Sequence, residues 1–394
     1  MKIYEIGTGY TAIPAKIGAA TEIVVEELTK SFMKLGYDAE IIDIAAPDRT
    51  LNNLTIREVK VPKILMRTDV HLGIVHKLKR VIYSVALAGE LRKILKSSRE
   101  RVVFHFHNQY NLYFFLKLVP LRLRKKALIA YTVHSYIWHG EWPMIEDTVK
   151  ARYFLELHCI KNAGSVFVLN EQTRKNIIEH VGVEIGSTFL IDNGVNLETY
   201  CPLPESEREM LKQKASVDGK RVFIQVGSVC DRKNQLQAVK MLEPLMKKDP
   251  RLVYCYAGGV IDQEYQNSIA EFARVHGIEA QIRYVGEIAP GRELNEFYNL
   301  GDAMVFPSKA EGFSLVIIEA MAAGLPVIIH ESLRFKLASE CCRYNSENDF
   351  NSVVCNSVLE DSKRKYICER VRNAVENCYG WQKIAKDYYS VWRE

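Results

Sequence analysis

The sequence predicts an α/β protein built from two Rossmann-like, doubly wound domains, and three observations carry that expectation. Apolar strand-like runs alternate with helix-period segments along the whole chain, the pattern of mostly parallel sheets covered by helices. The alternation begins twice, at Lys2-Ile-Tyr-Glu-Ile-Gly and again at Arg221-Val-Phe-Ile-Gln-Val-Gly. The chain has 394 residues, 48% of them hydrophobic, which is enough for two cores rather than one.

In the first series the opening strand is followed by an amphipathic segment at 21–35, then by Ala39-Glu-Ile-Ile-Asp, Val102-Val-Phe-His-Phe-His, Ala127-Leu-Ile-Ala-Tyr-Thr-Val-His and Ser165-Val-Phe-Val-Leu. Residues 201–219 carry Pro202, Pro204 and a charged helical stretch, as a connector would. The second series continues through Leu252-Val-Tyr-Cys-Tyr-Ala-Gly-Gly, Ile282-Arg-Tyr-Val-Gly, Ala303-Met-Val-Phe-Pro and Pro326-Val-Ile-Ile-His. The expected divisions are 1–195, a linker at 196–219, 220–378, and a final helix in 379–394 with Trp381, Ile384, Ala385, Tyr388, Tyr389 and Trp392 at helical spacing. Open α/β sheets bind ligands at the carboxyl ends of their strands, so two such domains facing each other would form a binding cleft.

Composition removes several function classes. No apolar run approaches the roughly 20 residues of a bilayer crossing. Met1 leads straight into a charged strand without a basic-then-apolar leader, so a cytoplasmic protein is expected. The nine cysteines contain no C-x-x-C pair, so reduced, mostly buried thiols are expected rather than a zinc site. Residues 1–190 hold 27 Lys/Arg against 19 Asp/Glu, and the remainder 26 against 29, so the first half should face something anionic.

The most informative stretch is Glu311-Gly-Phe-Ser-Leu-Val-Ile-Ile-Glu-Ala-Met-Ala-Ala-Gly-Leu-Pro-Val. Pro307 ends the preceding strand, Ser314 fits a helix cap, Leu315 opens a helix that Gly324 closes, and the next strand starts at Pro326. Gly312, Phe313, Ser314 and Leu315 therefore stand at a helix N-terminus, where orphan N–H groups and the helix dipole favour a phosphate. Glu319 lies one turn on along the same face, and Glu311 stands before the helix. An anion flanked by two carboxylates suits a sugar nucleotide, with Glu319 on the ribose and Glu311 on the transferred sugar. Arg232 and Lys233 follow a strand and a Gly-containing turn, where fixed cations can stabilise a departing nucleoside diphosphate without a metal.

This stretch resembles the E-x7-E motif of the family 4 retaining glycosyltransferases, which have the GT-B fold. The likeness extends over nearly the whole chain: Ile191-Asp-Asn-Gly-Val-Asn resembles the family's interdomain segment, and Val226-Gly227-Ser-Val-Cys-Asp-Arg-Lys-Asn its V-G-R-x-x-x-x-K-G segment. Asn234 stands where the family has Gly, and His330-Glu-Ser-Leu-Arg-Phe stands where it often carries a glycine pair. The resemblance implies a first domain on the acceptor side, a second that holds the nucleotide sugar, and a last helix that returns to the first domain. It makes His134, at the end of a T-x-H strand, a contact of the donor sugar. It places Gly18 in a loop near donor phosphate and acceptor, and Arg232 and Lys233 on the diphosphate. The implied reaction is retaining transfer of a hexosyl-type group from a UDP-, GDP- or other nucleotide sugar to a carbohydrate, lipid-linked or small-molecule hydroxyl, with no metal and no cofactor. A non-catalytic nucleotide-sugar-binding subunit and a nucleotide-sugar epimerase are the alternatives.

His105 and His107 share a strand face, but no carboxylate or cysteine at ligand spacing is evident in the sequence, so acceptor binding or packing is expected there rather than a metal. The basic surplus concentrates in His76-Lys-Leu-Lys-Arg80, Arg92-Lys-Ile-Leu-Lys96 and 116–126. Leu mixed with Lys/Arg suits either an anionic membrane surface at the inner face or a solvated helix face, and no nucleic-acid motif accompanies it.

Overall fold

The computed structural model describes residues 1–14, 20–47, 49, 54–62, 74–308, 311 and 313–393. The chain divides into two compact units, Met1–Gly194 with Trp381–Glu394, and Val195–Gly380.

The first unit runs β1 (Lys2–Ile6), α1 (Ala20–Lys34), β2 (Ala39–Ile44), β3 (Ile56–Val59), α2 (Ile74–Ser97), β4 (Val102–Phe106), α3 (Gln109–Leu118), α4 (Leu121–Arg124), β5 (Ala127–Val133), α5 (Glu146–Arg152), α6 (Phe154–Asn162), β6 (Ser165–Val168), α7 (Glu171–Asn176) and β7 (Thr188–Leu190). Its sheet has the order β3-β2-β1-β4-β5-β6-β7, parallel at every pairing. The central strands are buried along almost their whole length because helices cover both faces, which is why they read as near-continuous apolar runs. Strand order reverses between β1 and β4, so the crevice of the sheet opens at their carboxyl ends.

The second unit runs α8 (Glu205–Lys214), β8 (Arg221–Val226), α9 (Gln235–Lys248), β9 (Leu252–Ala257), α10 (Gln263–Val275), β10 (Ile282–Tyr284), α11 (Arg292–Leu300), β11 (Ala303–Phe306), α12 (Leu315–Ala322), β12 (Val327–His330), β13 (Cys342–Tyr344), α13 (Glu347–Ser357) and α14 (Asp361–Cys378). Its parallel sheet has the order β10-β9-β8-β11-β12-β13, with the reversal between β8 and β11. Residues 196–219, expected as a connector, are built into this unit. The Leu203 amide donates to Asn299 Oδ1 (2.8 Å), Arg208 Nε to the Asn299 carbonyl (3.1 Å), and Lys212 Nζ reaches Asp302 Oδ2 (3.0 Å).

Strands β3, β7 and β13 add to the elements read from the sequence. Each has only three or four residues and lies at a sheet edge, where one side is half-exposed and the apolar signal fades. All nine cysteines are free, but only four are buried, so the thiols are less enclosed than expected. Among the described residues no helix is long and apolar enough to cross a membrane.

The final helix, α15 (Trp381–Arg393), belongs to the first unit and packs on α1. Trp392 is 1% exposed, with its ring 5.5 Å from Phe32 and 5.4 Å from His105, and Tyr389 stacks on Tyr37 at 3.8 Å. Gly194 permits the close approach of α15, since a Cβ there would fall 2.5 Å from the Trp381 ring. Truncating Trp392 to Ala empties a fully packed position, and we expect the unfolding free energy to fall by about 3–5 kcal/mol. Guanidinium chloride denaturation checks this; a loss under about 1 kcal/mol would mean that α15 is not part of the core.

Candidate functional site

At the reversal point of the second sheet two loops meet, one after β8 and one after β11. Gly227 leaves β8 with φ +147°, and a Cβ there would crowd the Lys233 side chain at 3.3 Å, so glycine suits both the backbone and the lysine beside it. Two buried glutamines hold the first loop. Gln225 donates to the Lys233 carbonyl (2.7 Å) while accepting from the Tyr254 hydroxyl (2.7 Å), and Gln235 donates to the Ser228 carbonyl (2.9 Å). Asn234 takes the left-handed conformation (φ 60°, ψ 38°) that a glycine would adopt, which asparagine tolerates through local hydrogen bonding. Its Nδ2 donates to the Pro307 carbonyl at 3.1 Å and joins the two loops.

Glu311 is the focus of the second loop. Its Oε1 lies 2.6 Å from Lys233 Nζ and 3.1 Å from Arg232 Nη1, and it also accepts from the Ser308 hydroxyl. Burial lowers the pKa of the Lys233 ammonium, and the Glu311 carboxylate pulls it back up. The sequence placed the two cations opposite the acid, and the structure brings all three into direct contact.

Ser314 occupies the cap position of α12, yet its hydroxyl makes no capping bond; it is buried without a partner among the described residues. The expected cap is therefore not made, and among the described residues a polar group at a helix N-terminus is left unsatisfied. The first turn of α12 carries no acidic residue. The side chains of Phe313 and Leu315 are partly buried against the core, Phe313 with its ring 5.9 Å from Tyr379. Glu319 is 5% exposed and accepts from the Tyr298 hydroxyl at 2.8 Å and from Tyr200 rather than pairing with a cation. Gly18 and Gly312 lie outside the described residues. A hollow of about 270 Å³ beside the loops is lined by Asn234, Ser308, His330, Ser332, Ser346 and Glu347. A narrower one of about 20 Å³ lies between Glu311, Phe313 and Ser314 and the Leu333-Arg334-Phe335 strap.

His134 is in the first unit, just past β5, and belongs to a buried polar network. Its Nε2 is 3.0 Å from His107 Nδ1; His107 Nε2 is 2.7 Å from Glu5 Oε2; and Glu5 Oε1 is 2.9 Å from His105 Nδ1. His105 Nε2 meets the Thr132 hydroxyl at 2.7 Å, which in turn meets Tyr388 of α15 at 3.3 Å. Burial pushes His105, His107 and His134 down to about 3, so the three rings are neutral near pH 7, and it raises the carboxyl of Glu5. The carboxylate partner that the sequence did not reveal is thus Glu5. Its ligand atoms and those of His105 and His107 lie within 4.8 Å of one another, a spacing a metal could also use. The signal was a charge in the middle of an apolar strand, but naming its partners required the β1–β4 register, which pairs Glu5 with His105.

The family described as Glycosyltransferase Family 4 matches residues 21–199, and that described as Glycosyl transferases group 1 matches residues 206–335. Spore coat protein SA of Bacillus subtilis (strain 168) is 22% identical over 413 residues, covering all of both chains. Among solved structures, sucrose-phosphate synthase from Thermosynechococcus elongatus superposes with a TM-score of 0.76 at 18% identity, over 100% of this chain and 98% of that one. Anabaena Alr3699/HepE, solved with UDP and glucose, gives 0.71 at 15% identity over 100% of both. These structural likenesses show the fold, two Rossmann-like units of GT-B type.

The burial of Glu319 has a pH consequence. Desolvation raises its carboxyl from the ordinary 4.5 to about 7, opposed by the Tyr298 and Tyr200 hydroxyls. Between those values the folded state holds a proton that the unfolded chain has released, so stability falls as pH rises from about 4.5 through 7. Replacing Glu319 with Gln removes that dependence, and the variant should gain on the wild type by an amount on the order of 3 kcal/mol between pH 4.5 and 8. Denaturant unfolding at several pH values measures the gap; one that stays constant would contradict the assignment.

Proposed function

Since the chain belongs to the glycosyltransferases that these two families describe, we propose that it is a retaining, metal-independent enzyme that moves a hexosyl-type group from a nucleotide-diphosphate sugar to a hydroxyl acceptor. The supporting observation is the arrangement at the second reversal point, where Lys233 and Arg232 converge on Glu311 beside the start of α12, whose Ser314 hydroxyl has no partner among the described residues. That is a site for an anion with hydroxyls attached. The UDP held by HepE makes a UDP sugar the first donor to try.

In the proposed reaction the bond from the anomeric carbon to the diphosphate oxygen breaks and the electron pair leaves with the phosphate. Arg232 and Lys233, joined by the N-terminal amides of α12, stabilise that charge. The acceptor oxygen attacks from the same face, and its proton passes to the departing phosphate, so no enzyme nucleophile is needed. In the second unit Glu311 takes a hydroxyl of the transferred sugar, Glu319 takes the ribose, and Gly227 allows the loop to approach; in the first unit His134 is proposed to take a sugar hydroxyl. Donor entry would draw Lys233 off Glu311 and shift the strap at 333–335, since the narrow hollow is too small for a diphosphate. The second reading is nucleotide-sugar binding without turnover.

A panel of nucleotide sugars separates the two. Release of nucleoside diphosphate from one donor, retained after treatment with chelator, supports the enzyme, and binding without release supports the other reading. With the active donor, Lys233→Ala should lower kcat by about 10²–10³-fold; a loss under tenfold would remove the lysine from the leaving-group site.

We also propose peripheral contact with an anionic membrane at the inner face. Leu118 and Leu121 are 47% and 58% exposed beside Arg122, Lys125 and Lys126 on the surface around α4, and each such cation near the surface contributes about 1 kcal/mol. Flotation with anionic vesicles at low salt, lost at high salt and in an Arg122→Glu/Lys125→Glu variant, is expected; no flotation at low salt would remove the contact.

A further inference from the structure

We propose that Glu5 is a positioning residue whose carboxylate fixes the tautomer of His134, leaving His134 Nδ1 as a lone-pair acceptor for a ligand hydroxyl.

The direction of every bond in the network follows from Glu5. Burial raises the Glu5 carboxyl, and its bond with His107 opposes that. In the proposed arrangement Glu5 is ionised and only accepts, so both contacts to it are ring N–H donors, Nδ1–H of His105 and Nε2–H of His107. A neutral His107 that donates from Nε2 must accept at Nδ1, so His134 donates from Nε2, and its Nδ1 carries no proton. The other branch closes in the same sense: His105 Nε2 accepts from Thr132, whose oxygen accepts from Tyr388. A proton on Glu5 Oε2 would reverse the His107 branch and turn His134 Nδ1 into a donor, whereas one on Oε1 would reverse only the His105 branch. One carboxylate therefore decides which polarity His134 presents two rings away.

The fold supplies the alignment. Glu5 is the register partner of His105, and His105 that of Ala130, so Thr132 and His134 follow at positions two and four on the same sheet face. Glu5 and His105 are fully buried and His107 nearly so, while His134 is partly exposed at the strand end. In that setting an unpaired polar atom would be costly, so the pattern is all-or-none. The N–O separations of 2.7 and 2.9 Å are hydrogen-bond lengths, and each carboxylate oxygen serves one ring.

That the ligand hydroxyl belongs to a sugar rests on the proposed function; the tautomer does not, and it can be read without substrate. Long-range proton–nitrogen spectra of the full chain labelled with ¹⁵N-histidine, assigned by loss of signals in His134→Gln, report each ring nitrogen. The expected result is a protonated Nε2 and a bare Nδ1 at His134 near pH 7.5. In His107→Phe, His134 should sample both tautomers, and in Glu5→Gln at least one of His105 and His107 should exchange its protonated nitrogen. A wild-type His134 protonated at Nδ1, or a His134 unchanged in His107→Phe, overturns the proposal, and the wild-type spectrum decides even if the variants fail to fold. One equivalent of bound metal, with the His105 and His107 signals moving on chelation, would also overturn it. Failure of sugar transfer alone would count against the donor reading and leave the tautomer result standing.

Discussion

The pairing of Glu311 with Lys233 and Arg232 is the interaction on which the second unit's site depends. Lys233 and Glu311 are largely out of water, and each would be costly alone. Together they offset one another, and they hold the loops after β8 and β11 in contact. An incoming anion can claim the lysine only if something else satisfies the carboxylate. In the proposed function a single donor does both, its diphosphate taking the cations and its sugar hydroxyls the released acid. Recognition would then favour a ligand with both halves, because free phosphate would leave the largely buried Glu311 carboxylate with the Ser308 hydroxyl but without its cations.

The two units use the same topological feature differently. Each sheet reverses its strand order once, and each gathers polar side chains at the carboxyl ends beside that reversal. In the first unit the network from Tyr388 to His134 is satisfied internally, which fixes proton positions and orients the ring at its end. In the second, the Ser314 hydroxyl and the start of α12 are left unsatisfied among the described residues. One arrangement suits presenting a defined atom, the other suits accepting a charged ligand.

Much of this was legible in the sequence because it is local. The alternation of strands and helices, the turn chemistry from Pro307 to Gly324 and the spacing of Glu311 and Glu319 all act within a few residues. The short edge strands β3, β7 and β13 were not legible, since their apolar pattern is too brief. Neither was the packing of α8 on α11, because a charged helix after two prolines reads as a connector. Ser314 has the right residue type for a cap, but its hydroxyl was buried instead. Glu5 with His105 and His107, and Glu319 with Tyr298 and Tyr200, depend on strand register and helix packing between residues far apart in the chain. Asn234 shows that residue identity can mislead less than it threatens, since asparagine preserves the left-handed turn where glycine was expected.

The most direct test of the exchange of partners at Glu311 is a crystal structure with a non-transferable analogue of the nucleotide sugar that the protein uses, its diphosphate and sugar both present. The expected complex has the diphosphate at the N-terminus of α12, with Lys233 Nζ on a phosphate oxygen and no longer on Glu311. A nucleotide bound elsewhere, with the Lys233–Glu311 contact still at about its present 2.6 Å, would contradict it.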